Sequence, residues 1–174
     1  MMQQYEQLVG VDLEKNSSFV DLGSGHGGLV CQIASLRKFQ VCFGVEYESN
    51  RASWAYPLAE EFFEQLRRRS GEKYSSIQIN FGDFFQCQTT LDYLRRASLV
   101  WINNVTFKEI NFKLLTLLDN TVPIGCVVVS FESFLPRHAH MNETGFLKIS
   151  ETEVQGAGNW TGQPLTVHVM QKKR

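Results

Sequence analysis

The sequence predicts an α/β fold, a mostly parallel sheet wound with helices and closed by an antiparallel C-terminal strand. Three observations carry that prediction. Short apolar runs recur at about Ser18–Asp21, Gln40–Glu46, Ile77–Asn80, Ser98–Ile102 and Ile124–Ser130, with helix-forming stretches between them. The first run passes through Asp21 into a loop holding Gly23, Gly25, Gly27 and Gly28, and an apolar-striped segment follows at once. After the fifth run the pattern changes to two alternating stretches, at about Phe146–Glu153 and Leu165–Met170. Strand, glycine loop, helix is the unit by which α/β sheets present backbone N–H groups to a nucleotide-like ligand.

Taken in order, Met1–Asn16 reads as a partial helix with Tyr5, Leu8 and Val9 as its apolar positions. After the glycine loop, Leu29, Val30, Ile33, Ala34 and Leu36 form a core-facing helical stripe. Gln40–Glu46 is a nearly continuous apolar run ending in an acid, as in a buried parallel strand with a functional group at its carboxyl end. A long helix is expected over Asn50–Arg69, tolerating Pro57 in its first turns or at a kink. The third strand ends at Gly82-Asp83-Phe84, where an acid and a ring could hold a base. A short helix over Leu91–Arg96 precedes the fourth strand, and Asn103 and Asn104 stand at its carboxyl end. A helix over Lys108–Leu118 leads to the fifth strand, and a loop over Glu132–Thr144 to the terminal hairpin.

Two ligand classes compete for the glycine loop. Gly23, Gly25 and Gly28 satisfy the dinucleotide spacing, and Glu46 lies about twenty residues on, where a ribose-binding acid belongs. Asp21 argues against a pyrophosphate, which it would meet with like charge. S-Adenosylmethionine has no phosphate and carries an ammonium and a sulfonium, so an acid there attracts it. Asp21-x-Gly23-x-Gly25-x-Gly27 therefore reads as a methyl-donor site, and the fold as the Rossmann-like sheet of a class I S-adenosylmethionine-dependent methyltransferase.

Composition narrows the rest. At 174 residues one domain over 1–174 is the simplest organisation. No run of eighteen apolar residues is present, so no membrane span is expected, and the N-terminus lacks a secretory pattern. Cys31, Cys42, Cys87 and Cys126 show no metal-binding spacing and read as reduced core thiols of a cytosolic or nuclear protein. His138 and His140 lack a third ligand nearby, so no metal is expected. Net charge is −1, without the basic excess of a phosphate-gripping protein. Arg67–Arg69 and the Lys172–Arg174 tail are the clusters that could touch DNA or an acidic surface; a solvated helix end is the plainer account of the first.

The chain resembles the DOT-type (disruptor of telomeric silencing) histone lysine methyltransferases, non-SET enzymes acting on the globular core of histone H3. Matching residues are Asp21-Leu-Gly-Ser-Gly-His-Gly27, Gly44-Val-Glu46, Gly82-Asp-Phe84, Asn103-Asn104 with Phe107, Ser130-Phe131 and Trp160-Thr-Gly-Gln-Pro164. The resemblance implies a nuclear enzyme with S-adenosylmethionine as donor, S-adenosylhomocysteine as product and histone H3 in the nucleosome as partner. It implies that Asp21, Gly23, Ser24 and Gly25 line the methionine end, Glu46 the ribose, and Asp83 and Phe84 the adenine. Asn103, with Asn104, would stand beside the transferring methyl, and Phe107 and Trp160 would shape the acceptor region. Three departures stand out. Val105 and Val167 occupy positions where the family carries aromatic walls, and Gly28 one where it carries an amide. Residues 1–16 correspond to a short remnant of the family's N-terminal lid. The departures leave two alternatives open: a methyltransferase with another protein or small-molecule acceptor, or a catalytically impaired donor-binding module.

Overall fold

The computed structural model describes residues 17–36, 39–70, 74–106, 108–134, 144–154 and 165–174. Seven strands are present: β1 (Ser18–Leu22), β2 (Val41–Glu46), β3 (Ser76–Phe81), β4 (Ala97–Ile102), β5 (Val127–Ser130), β6 (Phe146–Val154) and β7 (Leu165–Lys172). Their order is β3-β2-β1-β4-β5-β7-β6. β1, β2 and β3 pair in parallel, while β7 runs antiparallel to both β5 and β6. The mostly parallel sheet with antiparallel C-terminal strands is thus as the sequence predicts. The described helices are α1 (Gly28–Ser35), α2 (Ser49–Ser70), α3 (Gln88–Leu94) and α4 (Asn111–Thr121). Two compact units make up the chain, one over residues 13–100 and one that includes residues 101–174.

In the first unit β1 is buried throughout, with Phe19, Val20 and Leu22 wholly inaccessible. β2 contributes Cys42, Phe43 and Val45, also wholly buried. Continuous burial with no inside–outside alternation is what a parallel strand covered on both faces requires. α1 buries Val30, Cys31, Ile33 and Ala34, one stripe at helical spacing. α2 spans 22 residues and contains Pro57, whose missing N–H removes one bond of the helical ladder. It buries Ala55 and Ala59, one turn apart. Phe43 stacks on Tyr93 at 4.5 Å, and the Tyr93 hydroxyl donates to Gln78 Oε1 at 2.7 Å. Arg96 lies 4.4 Å from the Tyr93 ring centroid and Arg95 pairs with Asp92 at 2.7 Å. The Arg95–Arg96 pair is therefore engaged locally.

In the second unit every residue of β5 is buried, and β7 lies between it and β6. The last turn of α4 is tied to β7 through Lys172. Its ammonium donates to the Asp119 backbone carbonyl at 2.6 Å and to the Asp119 carboxylate, and lies 5.2 Å from the Phe146 ring centroid. The Gly145 N–H donates to the same carboxylate at 3.0 Å, and a Cβ on Gly145 would overlap the Lys172 ammonium. Lys172 is 6% exposed, so it does not belong to a solvated basic tail; only Lys173 and Arg174 are exposed there. The side chains of Arg67 and Arg69, the N-terminal residues 1–16, His138 and His140 lie outside the described residues.

Three boundaries differ from expectation for local reasons. The helix expected over 108–118 begins only at Asn111, after single 3-10 turns at Asn104–Thr106 and Lys108–Ile110. Side-chain hydrogen bonds of Asn104 and Asn111 hold those turns, as detailed below. The fifth strand starts at Val127 because Pro123 to Cys126 close a turn, with Gly125 at φ 90° and the Cys126 N–H on the Pro123 carbonyl. The helix expected over 91–96 runs from Gln88 to Leu94, since the turn after Asp83 already starts it.

Candidate methyl-donor site

Asp21 sits near the carboxyl end of β1, opposite Gly44 of β2, and Glu46 ends β2. Between β1 and α1 the chain turns through Gly23, Gly25 and Gly27, at φ 83°, 56° and 75°. Those left-handed conformations favour glycine. The N–H groups of Gly23 and Ser24 both donate to the Val45 carbonyl, at 2.9 and 3.0 Å, clamping the loop to the end of β2. That approach explains Gly44: a Cβ there would lie 2.8 Å from Ser24 Cβ and Oγ. Gly27 caps α1, whereas Gly28 is its exposed first residue with no atom within 4 Å of an added Cβ.

Glu46 closes the ring of contacts. Its Oε2 accepts the Gly25 N–H at 2.7 Å and its Oε1 the Glu48 N–H at 2.9 Å. An ionised carboxylate offers about four acceptor positions, so each oxygen keeps one for a hydroxyl arriving from outside. Asp21 is 4% exposed. Burial, and then the nearby Glu46 charge, push its carboxyl up to about 7. Ser24 Oγ is buried with no hydrogen-bond partner. Two neighbouring acids with no cationic partner among the described residues and an orphaned hydroxyl suit a ligand that is cationic at one end and hydroxylated at the other.

Asp83 is tied into its own turn: Oδ1 accepts the Phe85 N–H at 2.9 Å and Oδ2 the Gln86 side-chain amide at 3.1 Å. Phe84 is 8% exposed and its ring lies 4.7 Å from that of Phe85. Two other aromatics were not singled out from sequence. Tyr47, directly after Glu46, is 73% exposed, and Phe81, the register partner of Glu46, is 64% exposed. The available signal was their position, large rings at strand ends where an apolar run should stop.

In the second unit Asn103 is exposed at the end of β4 and Val105 is half-buried. Asn104 is wholly buried and bonded through its whole side-chain amide. Val167 is 2% exposed on β7. His168, beside it, pairs in register with Ser130 and Glu151 and lies 3.7 Å from the Glu151 carboxylate. Burial outweighs that acid and holds the imidazole below its ordinary pKa. Phe107 and Trp160 lie outside the described residues.

Comparison with known proteins identifies the family and the fold. The family model described as Histone methylation protein DOT1 matches residues 1–164. A histone-lysine N-methyltransferase specific for H3 lysine-79 from Chaetomium globosum is 31% identical over 155 residues, covering 86% of this chain and 30% of that protein. One from Emericella nidulans is 36% identical over 126 residues, covering 71% and 24%. The chain thus spans less than a third of the length of these two relatives. Among solved structures, an RNA methyltransferase from Salinibacter ruber in complex with S-adenosyl-L-homocysteine matches with a TM-score of 0.67 at 18% identity, covering 100% of this chain and 93% of that one. This likeness shows the fold, that of the class I methyltransferases. With a family model matched over almost its whole length, the chain belongs to the DOT1 histone-methylation family.

Proposed function

We propose that this domain binds S-adenosylmethionine and transfers its methyl group to a lysine on the globular core of histone H3 in nucleosomes, in the nucleus. The observation that carries the reading is the buried Asp21–Glu46 pair, framed by the glycine loop, in a chain of this family. Bound, S-adenosylmethionine supplies an electrophilic methyl group on a sulfonium. Asp21, with Gly23, Ser24 and Gly25, holds the charged methionine end. Glu46 accepts from the ribose hydroxyls with the acceptor positions left by Gly25 and Glu48. Asp83 and Phe84 face the adenine, and Asn103, Phe107 and Trp160 shape the acceptor side. The remaining demands are alignment of a lysine amine and its loss of water and a proton. No strong base is needed for a neutral amine.

The test is transfer of a labelled methyl group to reconstituted nucleosomes, with free histones in parallel. Label confined to H3 on nucleosomes is expected; label on free histones alone, or none, contradicts the acceptor.

A second reading, a donor-binding domain with another acceptor or impaired catalysis, is favoured by Val105 and Val167. Neither offers a ring face to guide an ammonium. Val105→Phe is the cleaner restoration and should raise transfer to nucleosomes several-fold. Val167→Tyr enlarges a side chain that is 2% exposed, and overpacking should cost about 1–3 kcal/mol in denaturant unfolding. Unchanged transfer in Val105→Phe would show that this wall does not limit the reaction.

A further inference from the structure

The end of β4 holds a buried amide pair that no donor or acceptor contact explains. Asn104 is wholly buried. Its Oδ1 accepts two backbone N–H groups, from Phe131 at 3.1 Å and Glu132 at 2.9 Å. Its Nδ2 donates twice, to Asn111 Oδ1 at 2.9 Å and to the Glu132 carbonyl at 3.0 Å. A carboxamide has two donor hydrogens and two acceptor positions, so nothing is left for a substrate. The orientation is fixed as well, because the two backbone N–H groups can face only the oxygen. Asn111 is 8% exposed; its Nδ2 donates onward to the Ser133 carbonyl at 3.4 Å. Ser130 Oγ donates to the Glu132 carbonyl at 3.1 Å, completing the cluster.

We propose that Asn104 and Asn111 are a positioning pair for the reaction: they lock the turn leaving β4 to the turn leaving β5, so that the exposed neighbour Asn103 is held in one place. This rests on the methyltransferase reading above. A hydrophobic pair of the same size would pack but take from the Phe131 and Glu132 N–H groups the acceptor that Asn104 supplies, and from the Glu132 carbonyl one of its donors. An aspartate at 104 could accept both N–H groups but would set a carboxylate against the Asn111 and Glu132 oxygens. An aspartate at 111 keeps the oxygen that accepts from Asn104 and sets its second oxygen against the Ser133 carbonyl alone, across the longest contact in the cluster, where an aspartate at 104 meets two oxygens at closer range. The two positions therefore differ in what they tolerate.

Two measurements on the full chain test this. In backbone hydrogen exchange the Phe131 and Glu132 amides should be protected, and Asn111→Ala should speed their exchange at least tenfold with amides of β1 and β2 unchanged. In steady-state transfer to nucleosomes Asn111→Ala should lower kcat at least tenfold, with S-adenosylmethionine affinity by calorimetry within twofold of the parent. Asn111→Asp should restore much of the loss. An unchanged kcat in Asn111→Ala overturns the proposal, and so does unchanged exchange at both amides. Parallel loss of donor affinity would mark a general structural role and also overturn it. If the unsubstituted protein transfers no methyl group, the functional reading fails, and exchange at Phe131 and Glu132 still decides whether the pair holds the turn.

Discussion

Asp21 is the residue at which the fold works against itself. Its carboxyl is raised from 3.8 to about 7 by burial and by the Glu46 charge, so folding favours the protonated form. Its contribution to stability is complete below about pH 4 and is lost as pH rises through 7. At about 1.4 kcal/mol per unit the loss amounts to a few kcal/mol. A cationic donor reverses the preference, because only ionised Asp21 pairs with it. Donor affinity should therefore fall as pH drops below about 7, by up to about tenfold per unit, and flatten above it. Asp21→Asn should abolish that pH dependence, weaken donor binding and raise the melting temperature of the free protein at neutral pH. Calorimetry at several pH values checks the first two, thermal unfolding the third. A parent profile flat between pH 5.5 and 8 would remove Asp21 from the site. The acid itself was legible in the sequence, from its place before the glycines. Its protonation was not, since that depends on burial and on a neighbour 25 positions along the chain.

At the scale of elements, the glycine loop was legible as a motif but not in its division of labour. Gly23, Gly25 and Gly27 take the left-handed conformations, while Gly28 is an ordinary helical residue. Gly28→Gln should therefore fold, with slightly higher stability from the better helix former, and should tighten donor binding if a side-chain amide there reaches it. Gly44→Ala is the contrasting case, placing a methyl against Ser24 and loosening the clamp on β2; donor affinity should fall at least tenfold. Equal affinity of Gly44→Ala and parent would show that the close approach is dispensable. The first four strands were read to within a residue at each end because short apolar runs need no partner to be recognised, whereas the fifth starts three residues later than expected, behind the turn from Pro123 to Cys126. The helix before β5 was misplaced because its start is set by Asn104 and Asn111 bonding to the turn after β5, a tertiary contact that periodicity does not carry. The terminal basic triplet was misread for a similar reason. Lys172 is taken up by Asp119 and Phe146. Lys172→Met should lower stability by about 1–3 kcal/mol, since the half-buried Asp119 carboxylate loses its cation and keeps only the Gly145 N–H, and Asp119→Asn with Lys172→Met should recover part of it. A loss below about 1 kcal/mol in denaturant unfolding would place the pair among surface ion pairs instead.

Across the whole molecule, the order of strands and the position of the acids belong to one argument. Parallel strands bring the carboxyl ends of β1 and β2 side by side, and a ligand binds at those ends in such sheets. Topology thereby brings Asp21, the glycines and Glu46 to the place proposed for the donor, and the sequence could point to it because all of them fall within the first strand–helix–strand unit. The acceptor side draws on residues far apart in sequence, so Val105 and Val167 are legible as departures without revealing what they admit. The central claim concerns the donor. Its most direct test is calorimetric titration of S-adenosylmethionine into the unsubstituted protein and into Glu46→Ala. Saturable one-site binding by the parent, weakened more than tenfold by the substitution, is the predicted result, as expected when charge-assisted hydrogen bonds are removed. No binding by the folded parent, or equal binding by both, would contradict it.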